Sequence, residues 1–90
     1  MKSPSLNWLE TDSKLLKKCK LITKQKIEDV TTEEELILLR NDSNSRRDKH
    51  WENRQNASAQ RSSDIYHHLW EIEDLVSKLL TDCIHELFPE

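Results

Sequence analysis

From Ile65 to Cys83 the apolar side chains fall four and three residues apart in strict alternation, at Ile65, Leu69, Ile72, Val76, Leu79 and Cys83. A mean repeat of about 3.5 is a helical period; a strand repeats every second residue and puts no such series on one face. With Leu69, Val76 and Cys83 at a and Ile65, Ile72 and Leu79 at d, Leu75 falls at g and Leu80 and Leu87 at e. That stripe is wider than a two-stranded coiled coil uses and suits a helix with neighbours on two sides. Ser62 or Ser63 is the expected N-cap, and Phe88-Pro89 the expected end, because the residue before proline is pushed out of the α region. An amphipathic helix is therefore expected over 63–88.

The remaining segments read as helical too. The chain contains no glycine and only two prolines, Pro4 and Pro89. Phosphate-cradling loops and dinucleotide fingerprints, which need φ > 0 and close backbone approach, are thereby excluded. Over 5–30 the spacing of Leu15, Leu16, Cys19, Ile22, Ile27 and Val30 among lysines predicts a basic amphipathic helix. It starts at Asp12 or Ser13, or as early as Ser5 with Leu6, Trp8 and Leu9 in its first turns. Thr31-Thr32-Glu33-Glu34-Glu35 carries a capping-box pattern, and the acids suit a helix N-terminus. A short capped helix over 32–40 follows, whose Leu36, Ile37, Leu38 and Leu39 cover more than half its circumference. From 41 to 61 the chain is polar, a linker or a solvated helix, and the cluster Asn41-Asp42-Ser43-Asn44-Ser45 favours a break there, since such side chains compete for backbone hydrogen bonds. The expected fold is all-α: two shorter helices and a long heptad-patterned C-terminal helix, forming a helical bundle or coiled-coil-like assembly.

Charge is unevenly placed. Six lysines and no acid lie between Ser13 and Ile27, whereas from Asp64 onward Lys78 is the single base against seven acids. Lys14, Lys17, Lys18, Lys20 and Lys24, with Arg46 and Arg47 in the middle segment, are candidate phosphate contacts. Trp70 falls at b, outside the apolar stripe, and is a candidate contact residue unless the basic helix packs over it.

Catalytic or metal chemistry is not expected. His50, His67, His68 and His85 with Cys19 and Cys83 lack the spacings that converge four zinc ligands, and a small chain of this composition offers little scaffold for a preformed pocket. No cofactor and no small-molecule substrate are expected. Ser3-Pro4, Thr31, Thr32 and Ser43 match short modification patterns of low specificity. With no apolar signal segment, no membrane-length apolar run and two cysteines, an intracellular location, cytoplasmic or nuclear, is expected, and a membrane partner is not. The functional expectation is a non-enzymatic interaction subunit or adaptor that self-associates or docks on a larger complex. Its interface would comprise Ile65, Leu69, Trp70, Ile72, Leu75, Val76, Leu79, Leu80, Cys83 and Leu87, with Leu36, Ile37 and Leu39. The alternative is a nucleic-acid-associated accessory protein that uses the basic residues.

Overall fold

The computed structural model describes residues 14–30 and 32–89, which form three helices and no strand: α1 (Lys14–Ile27), α2 (Glu33–Asn56) and α3 (Gln60–Leu87). The expected start of the first helix, the Leu6, Trp8 and Leu9 anchor and the Thr31 and Ser3-Pro4 motifs lie outside the described residues. α1 ends at Ile27, where the Val30 N–H turns back onto the Ile27 carbonyl at 3.2 Å. α2 begins as expected: Thr32 is extended (φ −128°, ψ 155°) and its Oγ1 accepts from the Glu35 N–H at 3.2 Å.

Two boundaries differ from expectation. α2 does not break at 41–45 but continues for 24 residues. Two short polar side chains of that cluster are engaged with other side chains rather than with their own backbone. Ser43 is fully buried and accepts from the Arg46 guanidinium at 3.2 Å, and the Asn44 amide oxygen accepts from the Ser77 hydroxyl on α3. α3 starts at Gln60, with Ala59 rather than a serine at the N-cap and no capping side chain. The Gln60 amide reaches the Asp64 carboxylate at 2.8 Å within the first turns. The link is only Ala57-Ser58-Ala59, with Ala57 and Ala59 both extended, and no described residue has positive φ. A chain without glycine thus turns through extended backbone between two helix ends. At the other end α3 stops as expected, with Phe88 at the C-cap and its N–H on the Ile84 carbonyl at 2.8 Å.

α2 and α3 form an antiparallel hairpin in one register. Asn44, Arg47 and Trp51, spaced three and four apart on α2, meet Ser77, Asp74 and Trp70, spaced three and four apart in the opposite direction on α3. α1 packs along α3: the Cys19 thiol reaches the Ile72 carbonyl at 3.7 Å. Since α2 begins beside the end of α3, the short link 28–32 reaches it only if α1 runs parallel to α3. The core lies where all three helices meet, built from Cys19, Ile27, Leu36, Ile72, Val76, Leu79, Leu80, Cys83 and Ile84. Its buried hydroxyls are satisfied locally, Thr23 donating to the Cys19 carbonyl at 2.7 Å and half-buried Thr81 to the Ser77 carbonyl at 2.9 Å.

The extents of 45 × 28 × 22 Å and the radius of gyration of 14.3 Å, against about 12 Å for a compact chain of this length, follow from the 28-residue length of α3.

Candidate interaction surface

α3 divides its wide stripe between two neighbours. Ile72, Val76, Leu79, Leu80 and Cys83 are buried, with Leu36 of α2 and Cys19 and Ile27 of α1 in the same cluster. Leu15, Leu16, Ile22, Ile37, Leu39 and Leu75 pack half-buried around them. Most of the side chains expected to form an intermolecular interface are thus the chain's own core. The inward side of the basic amphipathic helix supplies the apolar and small side chains that pack against the seam. Leu69 and Trp70 are half-buried, while Ile65 and Leu87 remain accessible, at 52% and 42% exposure.

Trp70 is covered by α2, not by the basic helix. Its ring lies 5.5 Å from Trp51, tilted by 51°, and 5.9 Å from His67 in a near-parallel stack. The Arg54 guanidinium sits 5.0 Å above Trp51 on the outer side, and His67 Nε2 holds the Glu71 carboxylate at 2.7 Å. Toward the core this stack gives way to ion pairs: Arg46 to Glu73 at 3.0 Å, Arg47 to Asp74 at 3.2 Å and Lys78 to Asp74 at 3.0 Å. The polar segment from Asn41 to Asn56 therefore supplies one wall of the hairpin. The signal that would have found it is the matched spacing of Asn44, Arg47 and Trp51 with Ser77, Asp74 and Trp70.

These pairings reassign the basic residues. Arg46 and Arg47 pair with α3 carboxylates, the Arg46 side chain remaining 42% exposed, and Lys20 is only 2% exposed. Lys14, Lys17, Lys18 and Lys24 are exposed along one face of α1. Ser43, buried at 0% exposure, is likewise closed to modification.

Between the start of α2 and the end of α3 lies a cavity of about 450 Å³, lined by Glu33, Ile37, Arg40, Ile84, His85, Phe88 and Pro89. No group of three or more His, Cys, Asp or Glu side chains among the described residues is arranged to hold a metal ion. No helix among them is long and apolar enough to cross a membrane.

Both cysteines are free and buried. Burial pushes the Cys19 thiol above its ordinary pKa, against the pull of Lys18 and with a further push from Glu73; burial, then Glu86, does the same to Cys83. A raised thiol pKa means that the fold favours the protonated form. The associated stability is present below the ordinary thiol pKa and is lost as pH rises through the raised values. Neither thiol should react with a disulfide reagent in the native protein at pH 8, and both should react once urea unfolds it; rapid native labelling would contradict the burial.

No family model, curated protein or solved structure matches this chain, so its description rests on the fold and the surface: three helices among the described residues, two of them an aromatic-clasped hairpin.

Proposed function

We propose that this chain is a non-enzymatic protein-interaction module, an adaptor or complex subunit, that docks through the Ile65 and Trp51 half of its helical hairpin. The observation that supports this reading is that Ile65, the first position of the α3 apolar stripe, is 52% exposed next to half-buried Leu69. Trp51, 40% exposed beneath Arg54, lies on the same half of the hairpin. An exposed heptad position on the same half as an aromatic and an arginine has the composition of an interface centre. The partner class is a protein that offers an apolar helix to this end of the hairpin. The nucleic-acid alternative retains four of its seven basic residues, the exposed lysines of α1.

The test is a photo-crosslinking amino acid placed at position 65 or, as control, at the exposed position 82 of the full chain in cells that express it. A discrete protein adduct at 65, absent at 82 and abolished by Trp51→Ala, is expected. Equal or absent adducts at the two positions would remove the proposal.

A further inference from the structure

The two most exposed large apolar residues, Leu21 at 58% and Leu38 at 62%, sit on the outer faces of neighbouring helices, and their surroundings are opposite in charge. On α1, Lys17 and Lys18 precede Leu21 by four and three residues and Lys24 follows by three, with Lys14 one turn further out. On α2, Glu34 and Glu35 precede Leu38 by four and three residues and Asp42 follows by four. All seven charged side chains are exposed, and the spacings place each set around its leucine on one helical face. A single exposed leucine in a solvated face is ordinary. Two of them, framed at matching helical spacing by charges of opposite sign, form a complementary pair.

Within one chain the pair does not close, because both leucines remain more than half exposed. Lys14, Lys18, Lys24, Glu34 and Asp42 form no ion pair among the described residues. α1 carries no acid in any turn, so Lys14 and Lys18 repel each other along it.

We propose that the occupant of each face is a second copy of this chain: the basic leucine face of α1 on one protomer packs against the acidic leucine face of α2 on the other. The contact buries Leu21 against Leu38 and sets Lys18 and Lys24 against Glu34 and Asp42. Opposed charge fixes which helix meets which, and the apolar centres supply the desolvated contact. The surface is separate from Ile65 and Trp51, so it stands or falls independently of the docking function proposed above.

Light-scattering mass of the nuclease-treated full chain across a concentration series, at low and high salt, tests the contact. The wild type is expected to exceed the 10.7 kDa of the monomer and to return toward it at high salt. Lys18→Glu with Lys24→Glu, and separately Glu34→Lys with Asp42→Lys, should each give a folded monomer by circular dichroism, and mixing the two variants should restore association. Ile65→Asp should leave the mass unchanged. A monomeric wild type at every concentration, an assembly indifferent to both charge reversals, or variants that do not recover on mixing would overturn the proposal. So would a heavy species that carries nucleic acid and disappears on nuclease treatment, which would give the lysine face to phosphates instead.

Discussion

Replacing Val76 by Asp should abolish the cooperative helical fold of the isolated chain, read as loss of the far-ultraviolet helical signal and of a sigmoidal urea transition. Val76 is fully buried in the cluster that joins all three helices. An unpaired carboxylate there costs about 3–5 kcal/mol. The whole domain is worth about 5–15 kcal/mol, and a chain this small belongs near the lower end. The result also separates two meanings of one residue. Were the α3 stripe an intermolecular seam, Val76→Asp would yield a folded monomer; with the stripe covered by α1 and α2, it yields an unfolded one. Ile65→Asp, eleven residues earlier in the same stripe but 52% exposed, should leave the melting curve almost unchanged. A wild-type transition in Val76→Asp would contradict the core described above.

The second large effect is expected at Trp70. Truncation to Ala removes the ring that packs against both Trp51 and His67, and leaves a gap in the α2–α3 seam. A fully buried Trp→Ala change costs about 3–5 kcal/mol, and for this half-buried ring about 2–3 kcal/mol is expected. Trp51→Ala should cost less, since that ring is 40% exposed. The double variant should show a coupling of about 0.5–1.5 kcal/mol, the worth of an aromatic pair beyond its area. Urea titration of the four proteins measures this, and strictly additive losses would mean that the two indoles do not stabilise each other.

Much of this architecture can be read in the residues, and the parts that cannot have a common cause. The α3 repeat and the Thr32 cap are local signals, set by neighbours three and four residues away, and the helices lie where those signals place them. Apart from the start of α3, which lies at Gln60 without a serine cap, what the residues do not show is contacts across long sequence separations. Asn44 looks like a helix breaker until Ser77 is seen to donate to it, and Arg46 and Arg47 look like phosphate ligands until Glu73 and Asp74 face them. Lys20, in a lysine-rich run, looks exposed by composition but is buried by the fold. Trp70, at b, is packed by Trp51 of α2 rather than by the basic helix, and periodicity on one helix does not say which other helix supplies such a cover. The candidate surface was legible only in its remainder, at Ile65 and the exposed lysines, because what is available for binding is whatever folding leaves over.

The mixed chemistry of the α2–α3 seam has one more implication. An interface made only of leucines tolerates sliding by a turn, since every apolar side chain finds another. Here amide meets hydroxyl and indole meets indole once each, and two adjacent guanidinium groups meet two adjacent carboxylates. A one-turn slip in one direction brings Trp51 against Glu73 and Asp74, and in the other lays Arg47 beside Trp70. Each neighbouring alignment therefore strands a charge or an aromatic ring, so the seam works as a vernier with a single matching mark, and helical patterning alone could not have specified it.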